Sequence, residues 1–114
     1  SGGMRQRVAL ARTLMEDRPV MLLDEPFSAL DAGLRAEMQE LATELFVGKT
    51  VLLITHDPAE AARMGDRLFV MTKNGVDEFD AVPPPPSDRF IRDFASADVL
   101  ATTGRLLAQL RDTG

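Results

Sequence analysis

A chain of 114 residues is enough for one small domain or for part of a larger one. Its net charge of −5 argues against nucleic acid as the main partner, because phosphate backbones are held by basic stripes. It has no cysteine, which excludes a disulfide framework and a thiolate metal site, and no apolar run near the ~18 residues of a membrane span.

The chain opens Ser1-Gly2-Gly3 and reads as a helix to residue 16. Met4, Val8, Ala11 and Met15 recur at i, i+4, i+7 and i+11 and mark its expected buried face. Two glycines ahead of a helix leave N–H groups free to approach an anion. The helix dipole adds partial positive charge there, and Ser1 adds a hydroxyl donor. An ordinary N-cap with flexible glycines fits the same three residues. Asp17-Arg18-Pro19 breaks the helix.

Val20-Met21-Leu22-Leu23 is a short, bounded apolar run, expected as a strand buried on both faces. It runs into Asp24 and Glu25, and then into Pro26, which cannot join a central ladder. Two carboxylates at the end of a buried strand are costly unless a cation or a reacting group meets them. Asp24 can take Mg²⁺ directly or through its water, and Glu25 can orient or deprotonate a water. An acidic surface turn is the alternative reading of the pair.

Ser28-Ala29-Leu30-Asp31 leads into a helix over 32–47, with Asp31 as its N-cap. Leu34, Met38, Leu41 and Leu45 form the expected apolar face, Glu37, Glu40 and Glu44 the wet one, and Gly48 the C-terminal cap. Thr50-Val51-Leu52-Leu53-Ile54-Thr55 is a second buried strand, rich in β-branched residues. It ends at His56, the chain's only histidine, level with the acidic tip of the first strand. Asp57-Pro58 starts a short helix over 58–66, in which Glu60 reads as a cap or a surface charge. Residues 67–72 form a third strand, and Lys73-Asn74-Gly75 turns it back into a weak return strand over 76–79. Pro83-Pro84-Pro85-Pro86 is a stiff connector. Short helices are expected over 87–95 and 97–112, the second with Val99, Thr103, Leu106 and Leu110 on its apolar face.

Four stretches, in order, resemble the ATP-binding subunits of ABC transporters. Ser1-Gly2-Gly3-Met4-Arg5-Gln6-Arg7 resembles the signature motif, with Met4 where the family usually carries Gln. The first strand with Asp24 resembles Walker B, and Glu25 the catalytic glutamate. Ser28 to Asp31 resembles the D-loop, and His56 the switch histidine. The wording around them is similar to importers of small nutrients, the nitrate/sulfonate and thiamine-precursor groups in particular. The Gly-rich phosphate loop, G-x-x-x-x-G-K-[ST], is absent, so the match covers the second half of such a domain.

The resemblance implies an α/β fold: part of a P-loop NTPase-type three-layer sheet with helices on both faces, lacking the phosphate-loop strand. That strand would lie between the strands at 50–55 and 67–72, so these two are expected not to pair directly. It implies a domain part over 1–82, the connector at 83–86 and a helical tail over 87–114. It implies ATP and Mg²⁺, with Asp24 on the metal side, Glu25 as general base and His56 on the γ-phosphate. Ser1, Gly2, Gly3 and Asp31 would serve the nucleotide of a second ATP-binding subunit. Transmembrane permease subunits would be the other direct partners, a solute-binding protein an indirect one, and the cytoplasmic face of the membrane the location. Without the phosphate loop, these residues alone are expected to bind ATP poorly. Two other classes stay open on the residues: an ATPase head of a chromosome-maintenance or DNA-repair protein, and a non-catalytic dimerisation module.

Overall fold

The computed structural model describes residues 2–16, 18–79, 91–93 and 96–113. Eight elements follow in order: α1 (Gly2–Met15), β1 (Val20–Asp24), α2 (Ala32–Leu45), β2 (Thr50–Ile54), α3 (Pro58–Met64), β3 (Phe69–Thr72), β4 (Gly75–Glu78) and α4 (Ala97–Thr113). The fold is mixed α/β, and the chain divides into two units, residues 1–56 and 57–114.

In the first unit β1 and β2 form a parallel pair in register, Val20 opposite Thr50 through Asp24 opposite Ile54. The Thr50 N–H donates to Pro19 O at 2.9 Å and starts that ladder. The strands were expected to be buried on both faces, and here they are not. Met21 and Leu23 are buried, whereas Val20 is 67% and Leu22 66% exposed, with Leu52 and Ile54 beside them also exposed. Strand side chains alternate between faces, so one layer of cover hides only every second residue. An apolar run records the need for cover on both sides but cannot say which layers are present.

The helices form where periodicity put them but turn other faces inward. Leu10 and Leu14 are the buried residues of α1, while Met4, Val8 and Met15 are exposed. In α2 the buried residues are Met38, Gln39, Ala42 and Thr43, while Leu41 and Leu45 are exposed. Both helices carry apolar residues on more than one side, so a 3.6-residue period fits several rotations. Asp31 caps α2 as expected, its carboxylate accepting the Leu34 N–H at 2.9 Å. The C-cap is Phe46 and not Gly48. Gly48 serves the following turn at φ +80°, a conformation that glycine adopts without Cβ strain, and Lys49 N–H closes that turn on Phe46 O.

In the second unit β3 and β4 form an antiparallel hairpin, Thr72 opposite Gly75 across Lys73-Asn74. Gly75 stands at φ +128°, where a side chain would be strained. An exposed Arg67–Glu78 ion pair clips the open end, and its hydrogen bond holds the Glu78 carboxyl below its ordinary range. β2 and β3 belong to separate two-stranded sheets and do not pair directly. Ala62, Leu68, Val70, Val99 and Leu106 make the core, with Ala61 and Phe79 packed against it. Of the expected α4 face, Val99 and Leu106 are buried, Thr102 joins them, and Leu110 lies outside. The helix expected over 87–95 falls largely outside the described residues, as does the proline connector at 83–86, and residues 91–93 are not helical.

Asp57 caps α3 through the Ala59 N–H at 3.0 Å, and Pro58 follows in the first turn. Glu60 is buried, against the expectation of a cap or surface charge. Two arginines explain how charge enters this core. Arg63 Nε donates to Arg92 O at 2.9 Å, and Arg92 Nη1 donates to Gly65 O at 2.8 Å, just past the C-terminus of α3. Burial pushes the Arg92 guanidinium down from its ordinary value, while Asp66 and Asp98 pull it back up. Gly65 sits inside this clasp. A Cβ there would overlap Leu68 Cδ2 and stand 3.0 Å from Ala61 O. Gly65→Ala is therefore expected to cost about 1–3 kcal/mol by overpacking, read as a lower urea midpoint with an unchanged slope.

Candidate catalytic site at the tips of two parallel strands

The site begins where the β1–β2 ladder ends. The Glu25 N–H donates to Ile54 O at 2.8 Å, one rung past the last strand residue. The chain then turns sharply, and Glu25 sits at φ +52°, the only non-glycine with positive φ among the described residues. An L-residue pays about 1–2 kcal/mol there and stays only if its surroundings hold it. Its carbonyl is held from below: the Ser28 N–H reaches it at 3.4 Å and the Ser28 hydroxyl at 3.1 Å.

The turn sends the Glu25 side chain towards the tip of the neighbouring strand. Its Oε1 lies 2.6 Å from His56 Nδ1. The imidazole is 81% exposed and the carboxylate 31%, so the ring stands open while the acid is sheltered beneath it. The carboxylate partner assigns the proton to Nδ1. Nε2 is then an acceptor when the ring is neutral and a donor when it is protonated. A carboxylate has a second oxygen, so Glu25 can meet the ring and a water together.

Asp24 closes β1 on its exposed face, the face that carries Val20 and Leu22. Among the described residues no group of three or more His, Cys, Asp or Glu is gathered as a metal cage. One open carboxylate suits Mg²⁺, which keeps most of its waters and takes one or two carboxylates plus the phosphates of a substrate. Asp31 ends the turn that starts at Glu25, exposed and engaged in its cap. Gly2 and Gly3 stand in the first turn of α1 and not ahead of it. Ser1 lies outside the described residues.

The sequence profile of the ABC transporter family matches residues 1–28. Three similar proteins extend the match. An uncharacterized ABC transporter ATP-binding protein of Haemophilus influenzae is 62% identical over 71 residues, 62% of this chain and 30% of that protein. The thiamine import ATP-binding protein ThiQ of Rhizobium meliloti is 45% identical over 100 residues, 84% of this chain and 40% of that protein. The aliphatic sulfonates import ATP-binding protein SsuB 1 of Shouchella clausii is 40% identical over 120 residues, 95% of this chain and 49% of that protein. This chain belongs to the ABC transporter ATP-binding family. It spans 30–49% of the length of these relatives. Within such an ATP-binding chain, the turn after β1 and the end of β2 meet at Glu25 and His56.

Sequence reasoning named both residues of this contact but missed what holds them. The positive φ of Glu25 has no local signature, because Pro26 speaks only against the right-handed helical region for the residue before it. Arg35, which anchors the same turn, carries no signal in the sequence that singles it out. It bonds back across eight residues, a spacing that no helix or strand period singles out.

Proposed function

We propose that this chain is the part of an ABC importer's ATP-hydrolysing subunit that carries the general base, the switch histidine and the signature segment. The observation that supports this most is the Glu25–His56 contact, made by two residues 31 apart in sequence at the tips of paired parallel strands. A water oxygen attacks the γ-phosphorus, and its proton passes to the Glu25 carboxylate. The bond between the γ-phosphorus and the β,γ-bridging oxygen breaks, releasing ADP and phosphate. His56, oriented through Nδ1 by Glu25, presents Nε2 to the γ-phosphate, and as imidazolium it donates there. Asp24 would hold Mg²⁺ through a bound water, and the ion would supply neutralisation of phosphate charge. Ser1, Gly2 and Gly3 would offer a hydroxyl and N–H groups to the γ-phosphate of a second ATP-binding subunit, with Asp31 at that seam.

The finer architecture is part of the same proposal. Parallel sheets are covered on both faces, and the open Val20, Leu22, Leu52 and Ile54 side supports a third layer over β1 and β2. Residues 1–82 would belong to the ATPase domain, 83–86 to a connector and 87–114 to a tail. No helix among the described residues is long and apolar enough to cross a membrane. The import names of the similar proteins support coupling to transport through permease subunits, with this subunit at the cytoplasmic face of the membrane. The thiamine and sulfonate import relatives support a small-nutrient importer.

The test is a chimera in which this chain replaces the matching segment of the Rhizobium meliloti thiamine import ATP-binding protein. The chimera is expected to hydrolyse ATP in the presence of Mg²⁺, and the 114-residue chain alone is not. A folded chimera that binds ATP but never turns it over would overturn the proposal.

A further inference from the structure

We propose that Arg35 is a positioning residue for Glu25, acting through the carbonyls of the turn between them. The inference rests on the reading of Glu25 as the base for its catalytic consequence, while its geometric content stands apart from that reading.

Residue 25 sits in a conformation that an L-residue leaves unless it is held. Relaxing to negative φ would rotate the carboxylate away from His56. Upstream the residue is fixed by one bond, its N–H on Ile54 O. Downstream everything depends on the turn, and the turn is anchored in three ways. Phe27 and Leu30 are buried and act as plugs. Ser28 grips the Glu25 carbonyl with its N–H and its hydroxyl. Arg35 reaches back from the first turn of α2 and grips two further carbonyls of the turn. Its Nε donates to Phe27 O at 3.2 Å and its Nη2 to Leu30 O at 2.7 Å.

These bonds differ in kind from the Ser28 contacts. They come from an ionised donor in a partly buried setting, where a hydrogen bond is worth about twice a neutral one. One planar guanidinium spans both carbonyls, which a lysine ammonium on a flexible stem cannot do in the same way. The Arg35 N–H also makes a bond of α2, to Asp31 O at 2.8 Å. The side chain therefore references the turn to the helix that follows it. Through these two bonds the effect of Arg35 on the carboxylate is transmitted by Phe27 and Leu30.

The chain's single histidine gives the test a clean probe, since the imidazole ¹⁵N resonances can come only from His56. In the ¹⁵N-labelled 114-residue chain, Arg35→Gln is expected to move these resonances from their wild-type positions towards those of Glu25→Ala. Arg35→Lys, which keeps the charge and loses the fork, should fall between wild type and Arg35→Gln. In the chimera, Arg35→Gln should lower kcat about tenfold with KM within about twofold, and Arg35→Lys should recover part of the loss. Circular dichroism checks folding, and should Arg35→Gln unfold, Arg35→Lys alone carries the comparison. Folded variants with His56 resonances at wild-type positions, or with a raised KM and an intact kcat, would overturn the proposal. If Glu25→Gln leaves turnover intact, the reading of Glu25 as base fails, and the His56 resonances still decide the role of Arg35.

Discussion

Replacing Glu25 with Gln is expected to lower ATP turnover of the chimera by about 10²–10³-fold, with ATP affinity changed by no more than about threefold. Gln has the shape of Glu and keeps an acceptor oxygen at the Oε1 position. The Nδ1–H of His56 can still donate to it, so the 2.6 Å contact keeps a partner of the same geometry. The backbone at φ +52° meets a side chain with the same Cβ and gains no new clash. What disappears is the negative charge that takes a proton from water. Nucleotide affinity should hold, because the phosphate grip of a P-loop ATPase lies in backbone N–H groups and a lysine outside these residues. The measurement is steady-state ATP hydrolysis beside equilibrium nucleotide binding. A drop in kcat with constant affinity supports Glu25 as the base. Unchanged kcat would move that role elsewhere.

Phe27→Ala is expected to be the most damaging single change to stability in the first unit, at about 3–5 kcal/mol. Phe27 is 0% exposed, the largest fully buried side chain among the described residues of that unit, and it sits two residues after the strained Glu25. Truncation removes the apolar contacts of the ring and leaves a cavity under the turn. The stability of a small unit is itself only a few kcal/mol, so the variant should be largely unfolded or should lose its cooperative transition. Urea unfolding followed by circular dichroism measures the loss. Phe27→Leu, which keeps most of the volume, should cost less than about 1.5 kcal/mol and preserve the His56 resonances of the wild type. If Phe27→Ala instead matches wild type, the turn is held by its hydrogen bonds alone, and the role of burial described above falls.

Both predictions meet in the same seven residues. Glu25 would supply the chemistry of the proposed site, and Pro26 through Asp31 would keep it aimed. Charge alone would not do this: an exposed imidazole and a carboxylate gain little from each other unless both are held in place. Here the strand ladder holds one side, and the Phe27, Leu30 and Arg35 anchors hold the other.

Much of the chain could be read from its residues because the signals are local. Asp31 and Asp57-Pro58 announce helix starts through bonds that span two or three residues. Asn74-Gly75 announces a hairpin for the same reason, and bounded apolar runs announce β1, β2 and β3. Asp24, Glu25 and His56 were legible as tip residues because a charged or ring side chain after an apolar run marks the end of a strand. Tertiary structure alone decided which side of α1 and α2 turns inward, that Glu60 is buried, and that β1 leaves Val20 and Leu22 open. It also decided the left-handed twist at Glu25 and the grip of Arg35 on the turn. The division has a physical cause. Caps, turns and periods are settled by neighbours a few bonds away, whereas a face is buried, or a carboxylate meets an imidazole 31 residues on, only once the chain has chosen what lies beside it.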